Sequence, residues 1–593
     1  MLALQSNFKI KGLFLTLLFT TLLYSKNFSQ SIYKKSSDKY WHTLLHFKNG
    51  KSEIDSTSFF LNQNGKNNTY LELNTTIANL IHPVKNDDNS TYCRFPARRI
   101  WIEKNFKNIS IKKQTCTILE KEFETIKNIN KITLIFPTTH INSPASMFGH
   151  TLLRLDNSNN DLLTSYAINY AATTNEDNGF IYAWKGLTGG YKGKYSIVPY
   201  YKKINEYSNM ENRDIWEYEL NLSKSEIKNL LYHLFEVKHE WSEYYYFNHN
   251  CSYEILWLLQ AARNDLFLVN SFNYKTLPID TIKEIYNKNI ITKHTFRPSK
   301  RKFLLKYYNE IKNKELALTF YNITDIKLLN NINISEQRNI LNFSLELIRY
   351  DKSKNKISKD KYLSKLIKLL KYRSTLGLDS KLNIKKPINP IYGHNTNRLS
   401  FKYYKDNIEF GIKPSFHGMD DLDYGFINGA YIDFLKIDVK YNKNKEVALK
   451  NISLFNIKSY AARNDIFKPI SWGIDFGNEQ FINEENYTKL KTSVGFTYGY
   501  GEFLNSLLII NNVRQKDKLY YSYGINYFAQ FSLNNSKNKF IIDTQVEKFS
   551  FGKYNLYDVS YIQNVFKNVN LKIGIKKELD SKYTYINLLY YFK

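Results

Sequence analysis

His150 and Cys251 are the residues of this chain whose types and settings suit covalent chemistry. His150 lies in SPASMFGHTLLRL (Ser143 to Leu155), where it follows a glycine and opens a short apolar run. Cys251 lies in YYYFNHNCSYEILWLLQAAR (Tyr244 to Arg263). Asn250 is a good N-cap residue, so Cys251 falls at the first position of a helix. A helix start favours thiolate, and an imidazole can take the thiol proton. If the fold brings the two together, they form the nucleophile and base of an acyl-transfer or hydrolytic enzyme. The backbone N–H of Cys251 would then be a natural oxyanion donor.

A third polar group usually orients such an imidazole. Asp156 follows His150 on the same strand but lies about 20 Å further along an extended chain, out of reach. Asn169, in SYAINYAA, is the better candidate; a strand amide satisfied by the backbone is the plainer alternative. Lys185, Tyr191 and Tyr200 stand in KGLTGGYKGKYSIVPYY and either line a cleft or serve packing, which is the simpler reading. No metal-ligand spacing stands out, since His233 and His249 lack partners at the required intervals. No cofactor is expected.

Several elements must position these residues. KITLIF (Lys131 to Phe136), Thr151 to Leu155, Ser165 to Ala172 and DIWEYELN (Asp214 to Asn221) read as strands. Lys185 to Tyr201 reads as a glycine-rich loop with hairpin character. Ser223 and Glu226 have the spacing of a capping box. After Cys251, Ile255, Leu258, Leu259 and Ala262 form an apolar stripe facing inward. From 223 to 375 the pattern is mostly helical, and Leu363, Leu366, Leu369 and Leu370 read as a core stripe. Residues 31–128 look largely helical. KKPINPIY (Lys385 to Tyr392) reads as a linker.

Beyond residue 396 the period changes to two. Ile470, Trp472, Ile474 and Phe476 alternate with Ser471, Gly473 and Asp475. Tyr521, Tyr523, Ile525, Tyr527 and Phe531 alternate with Ser522, Gly524, Asn526, Gln530 and Ser532. About twelve such segments, apolar on one face and small or polar on the other, match an outer-membrane barrel. The last strand places Thr584, Ile586, Leu588, Tyr590 and Phe592 on one face. A soluble sandwich or closed soluble barrel is the alternative, and lysines expected on the outer face argue for it.

The chain has 593 residues, 43% hydrophobic, enough for several domains with cores. Its net charge of +29 is spread among asparagine, isoleucine and tyrosine, with no nucleic-acid-binding signature, so nucleic acid is not an expected partner. Lys9 and Lys11 followed by GLFLTLLFTTLLY (Gly12 to Tyr24) read as a secretory signal cleaved near Ser25 or Ser29. Three cysteines in an exported chain suggest one pair and one thiol outside it. Cys93 and Cys116 are the natural pair by proximity, closing a loop of about 22 residues and stabilising by roughly 3 kcal/mol.

The segments SPASMFGHTLLRL, SYAINYAA, KGLTGGYKGKYSIVPYY, RDIWEYEL and NHNCSYEILWLLQAARNDL together resemble the bacterial Lnb N-terminal periplasmic domain family. That family takes its name from an integral-membrane lipoprotein N-acyl transferase. The resemblance covers roughly residues 130 to 300; CRFPARRIWI is similar to the helical region preceding the domain, and the C-terminal part to the tail of Gram-negative members. It implies an α+β permuted papain-like (NlpC-type) fold with helical flanks, followed here by an antiparallel β-barrel of about twelve strands. In such a fold histidine precedes cysteine, as His150 precedes Cys251. The resemblance carries over these two residues as a dyad, with Asn169 as third member. No transmembrane helix follows the domain, which departs from the name-giving member and argues away from lipoprotein N-acylation.

The expected layout is a signal peptide (1–29), a helical region with the Cys93–Cys116 disulfide (30–128), the Lnb-type domain (129–300), a helical region (301–384), a linker (385–395) and the barrel (396–593). The expected function is a cell-envelope cysteine-dependent acyltransferase or hydrolase. It would act on an acyl ester or amide of a lipid or lipoprotein through a thioester. The alternatives are a peptidoglycan peptide amidase and a non-catalytic outer-membrane barrel whose periplasmic domain binds or scaffolds. The expected location is the outer membrane, with the N-terminal domains in the periplasm.

Overall fold

A computed structural model describes residues 28–593, apart from 127, 142–145, 158–160, 175, 177, 378–381, 482–484 and 550–551. The signal-peptide reading therefore falls, save Phe28 and Ser29, outside the described residues. The chain divides into two compact units. One holds the residues up to Phe136, Thr151–Ile204 and Glu217–Thr295; the other holds Pro137–His150, Asn205–Trp216 and Phe296–Lys593.

The first unit carries a seven-stranded sheet. Its strands are β1 (Ile129–Pro137), β2 (Leu152–Asn157), β3 (Tyr166–Thr173), β4 (Tyr191–Pro199), β5 (Ile215–Leu220), β6 (Ser242–Tyr244) and β7 (Ile291–Arg297). They lie in the order β6-β4-β3-β2-β1-β5-β7. Ile132, Leu134, Leu152, Leu153, Ala167 and Ile168 are all buried, as strands covered on both faces must be. The helix Cys251–Ala262 packs against β2 and β3. Helices Lys39–Leu44, Lys224–Val237 and Pro278–Asn287 pack around it. Ile255, Leu258, Leu259 and Ala262 are buried as expected, and so are the other eight residues of the Cys251 helix. The helix is central, and its polar residues must find partners inside.

The capping box at Ser223 and Glu226 forms, and Glu226 also pairs with Arg263 just past the Cys251 helix. Cys93 and Cys116 form a disulfide inside a small cluster with Leu119. The expected glycine-rich loop is instead the helix Gly179–Thr188 followed by β4. Its glycines serve close packing: a Cβ on Gly193 would lie 2.3 Å from the Tyr170 hydroxyl. The helical stretch after 223 is also interrupted by β6 and β7.

The second unit contains a helical bundle and a barrel. Helices Lys300–Glu310, Lys314–Ile323, Ile334–Ser353 and Lys359–Ser374 enclose a core that includes Leu304, Phe320, Phe343 and Ile348. Of the leucine stripe, only Leu369 is fully buried; Leu363 and Leu370 are exposed, because one partner helix covers only one edge of Lys359–Ser374. Phe467, from the connection between two barrel strands, enters this core, and Asp465 accepts from the Tyr308 hydroxyl at 2.9 Å. The bundle is thereby fastened to the barrel. The expected linker is ordered at its end, with Pro390 and Ile391 buried.

The barrel has twelve long strands. They are β8 (Asn397–Tyr404), β9 (Asn407–Pro414), β10 (Ala430–Tyr441), β11 (Val447–Ser459), β12 (Ser471–Gln480) and β13 (Asn486–Tyr500), then β14 (Phe503–Gln515), β15 (Leu519–Leu533), β16 (Asn538–Phe549), β17 (Gly552–Phe566), β18 (Val569–Glu578) and β19 (Ser581–Phe592). Each pairs antiparallel with the next, and β19 closes on β8 through Asn397 to Tyr403. On β15, Tyr521, Tyr523, Ile525, Tyr527 and Phe531 are exposed while Ser522, Asn526, Gln530 and Ser532 are buried. Apolar outside and polar inside is the inverse of a soluble barrel and is what lipid requires. The lysines correct the sequence reading in part: Lys413, Lys440, Lys489, Lys539 and Lys572 are buried rather than outward, while Lys548 of β16 and Lys577 of β18 are exposed. Inside, Lys489 meets Asp475 and Glu479, and Arg514 meets Glu479 and Glu547.

The connection Ser415–Gly429 turns into the lumen. Asp421 takes Arg398 of β8 and Lys413 of β9, and Asp420 takes Lys572 of β18. Asp423 takes Lys539 of β16 and accepts from Gln530 of β15. Leu422 packs with Leu508 of β14, Ile541 of β16 and Ile562 of β17. One short segment can touch strands all around the wall only by lying across the interior.

Candidate functional site

Asn250 sets the start of the Cys251 helix. Its side-chain oxygen accepts from the N–H groups of Ser252 (3.0 Å) and Tyr253 (3.3 Å). Its amide donates to the carbonyls of Tyr246 (2.9 Å) and Thr276 (2.6 Å). One side chain thus caps the helix and ties down two approaching loops. Cys251 occupies the first helical position, is outside any disulfide and is 2% exposed. Tyr244 lies beside it; burial, with the nearby Cys251 sulfur, holds the Tyr244 phenol well above its usual range. Tyr244 stacks with Tyr170 at 6.0 Å and pairs in register with Tyr191.

Glu254 lies one turn beyond Cys251 and is fully buried. Burial, with Glu53 nearby, raises its carboxyl to about 8, so it is protonated at neutral pH. Tyr195 donates to its carbonyl at 2.8 Å. His46 Nδ1 is 3.8 Å from Glu254 Oε2, and His46 Nε2 is 3.0 Å from His233 Nε2. His233 continues to Glu236 at 3.2 Å, which accepts from the Arg98 backbone. A buried polar chain thus runs back from the helix that carries the thiol.

Asn169 is buried on β3 opposite Ser196, whose hydroxyl donates to its carbonyl at 3.3 Å. Asp156 is held by Arg154 and Thr133, with Arg154 also bound to Glu217 at 2.8 Å. Tyr191 and Tyr200 are buried packing residues, while Lys185 is exposed and paired with Glu176.

His150 belongs to the second unit. Its N–H donates to the Pro137 carbonyl at 3.2 Å, closing the neck of the loop 137–150. Gly149 adopts φ +96°, a conformation L side chains rarely take. Arg213, 2% exposed, clamps the neck by donating to the carbonyls of Thr138 (2.6 Å) and Pro137 (2.8 Å). Tyr207 places its ring 5.9 Å from His150 and under the Arg213 guanidinium. It stands in a π-helical turn, Asn205–Met210, a rare geometry frequent at functional sites. Sequence reasoning missed Arg213, Tyr207 and Tyr244, because their roles depend on contacts distant in sequence.

His394, His417 and Asp421 offer ligand atoms within 4.8 Å of one another. Asp421 already carries Arg398 and Lys413, and His417 is bound to Asp423, so a metal ion would have to displace two resident cations.

Residues 120–288 match the family model described as the Lnb N-terminal periplasmic domain. The chain carries an Lnb N-terminal periplasmic domain. Residues 387–590 and 34–105 match two further families, described as domains of unknown function (DUF7840 and DUF7843). A comparison with curated proteins found no match. Among solved structures, the chain is similar to the KdgM porin (11% identity, TM-score 0.23, 33% of this chain and 99% of that one). It is also similar to OmpT, an outer membrane protein of Vibrio cholerae (8%, 0.20, 33% and 97%), and to outer membrane phospholipase A from Escherichia coli (8%, 0.19, 37% and 95%). The barrel's own register and inverted polarity, not these low-scoring likenesses, carry the membrane reading. With a periplasmic Lnb-type domain and a barrel of this kind, the chain belongs to the cell envelope, at the outer membrane. Among the described residues no helix is long and apolar enough to cross a membrane.

Proposed function

We propose that the Lnb-type domain is a thiol acyltransferase or hydrolase of the envelope, with Cys251 as nucleophile, His150 as base and Asn169 as the group that orients the imidazole. The permuted papain-like fold implied by the family resemblance belongs to this proposal. The observation that carries it is the placement of Cys251: the first residue of a helix capped by Asn250, outside the disulfide. The backbone N–H at such a helix start can stabilise a substrate oxyanion. His150 takes the Sγ proton as the sulfur attacks an ester or amide carbonyl. His150 returns the proton to the leaving group, and a thioester remains. Water or an amine, deprotonated by the imidazole, then attacks the thioester and releases Cys251. A lipid or lipoprotein acyl group is the favoured substrate, in keeping with the aromatic setting of Tyr170, Tyr244 and Tyr246.

A second reading is cleavage of a peptide amide of the cell wall. It is favoured by a polar cavity of about 290 Å³ lined by Glu53, Asp55, Glu243, Asn248, His249 and Tyr253, beside the start of the same helix. Comparing wild-type and Cys251→Ala strains by mass spectrometry of lipids, lipoproteins and muropeptides tests both. One class accumulating in unprocessed form identifies the substrate. Unchanged profiles in all three leave a binding or scaffold domain.

A further inference from the structure

Phe148 connects the loop that carries His150 to the interior of the barrel. Its side chain is 5% exposed. Its ring lies edge-on to Phe416 at 5.6 Å and against Phe434 of β10 at 5.8 Å. Phe416 is the second residue of the luminal segment Ser415–Gly429 and is 3% exposed, with Phe426 edge-on at 5.4 Å. The next residue, His417, is fixed to the wall by a two-bond bridge with Ile432 (3.3 and 2.7 Å). His417 Nε2 meets Asp423 at 3.1 Å, and Asp423 is in turn held by Lys539 and Gln530. A continuous series of packed and bonded side chains therefore runs from β15 and β16, through the plug, to Phe148. His150 stands two residues further on, past the positive-φ Gly149. Arg213 holds Pro137 and Thr138 at one end of this segment, and Phe148 is held two residues before His150 at the other.

We propose that the barrel plug sets the placement of His150, with Phe416 and Phe148 as positioning residues, so that a change in the lumen reaches the imidazole. The catalytic meaning of this device rests on reading His150 as the base; the mechanical coupling does not. A densely packed aromatic pair transmits displacement because it has few alternative arrangements.

The test uses the full chain in lipid vesicles. Phe416→Ala removes the contact, Phe416→Tyr preserves it, and Asp423→Asn loosens the plug away from the contact. Two quantities are read: amide exchange over residues 138–150, and the NMR titration of the His150 imidazole, assigned by its loss in His150→Gln. Phe416→Ala and Asp423→Asn are expected to speed loop exchange at least tenfold and to shift the His150 titration, with Phe416→Tyr close to wild type. Should Phe416→Ala fail to fold, Asp423→Asn and Phe416→Leu decide the matter. Unchanged exchange and an unchanged titration in folded variants would overturn the coupling. Neither readout involves Cys251, so failure of the thiol mechanism would leave these results standing.

Discussion

Glu254 is the residue whose ionisation has the clearest consequence. Unfolded, its carboxyl titrates near 4.5; folded, burial raises this to about 8. Between those values the folded state keeps a proton that the unfolded chain has released. Stability therefore falls as pH rises through that window, by up to about 1.4 kcal/mol per pH unit, and levels off above about pH 8. Glu254→Gln cannot ionise and should remove this slope. Native-state hydrogen exchange of the helix Cys251–Ala262 between pH 5 and 8 measures it, and a slope equal in both proteins would refute the assignment. Asn250 gives a second prediction. Asn250→Ala loses the cap, costing about 1–2 kcal/mol, and leaves the Tyr246 and Thr276 carbonyls without their donor. The amides of Ser252 and Tyr253 should exchange faster and Cys251 should react more slowly with a thiol reagent. Asn250 is readable in sequence as a cap, since asparagine before a helical pattern has that meaning. Its two donated bonds are not, because Thr276 arrives from another loop.

At the scale of elements, short-range periodicity is legible and long-range placement is not. The barrel strands are readable because alternation over ten or more residues suits little besides a strand with two unlike faces. Their lysines read as outward, since a lysine on a strand gives no sign of the aspartate it will meet. Lys572 finds Asp420 across 152 positions of sequence. The plug is invisible for the same reason: nothing in HGMDDLDYG announces the lysines and arginine that its aspartates meet. KGLTGGYKGK reads as a loop because its glycines signal flexibility in sequence, whereas in the fold Gly186, Gly189 and Gly193 accommodate tyrosine rings. The strand pattern yields a direct prediction. Ile525, exposed near the middle of β15, should face lipid, so Ile525→Lys should destabilise the barrel by about 2–4 kcal/mol. Refolding into vesicles at graded urea concentrations checks this, and indifference to the substitution would argue for a soluble barrel.

For the whole molecule, the Lnb-type domain and the barrel are both legible, the first from local motifs and the second from alternation. The membership of His150 in the same compact unit as the barrel is not, because it depends on Phe148 and Arg213 meeting partners far along the chain. The placement of Cys251 in the other unit makes its reactivity the quantity on which the proposed chemistry turns. The decisive measurement is the rate at which a small electrophile alkylates Cys251 in the folded full chain, followed by mass spectrometry from pH 5 to 9, in wild type and His150→Ala. Alkylation with a midpoint below the ordinary thiol value of about 8.5, slowed at least tenfold in His150→Ala at neutral pH, is the expected result. A residue 251 left unmodified at neutral pH, or modified equally in both proteins, would contradict the thiol–imidazole mechanism.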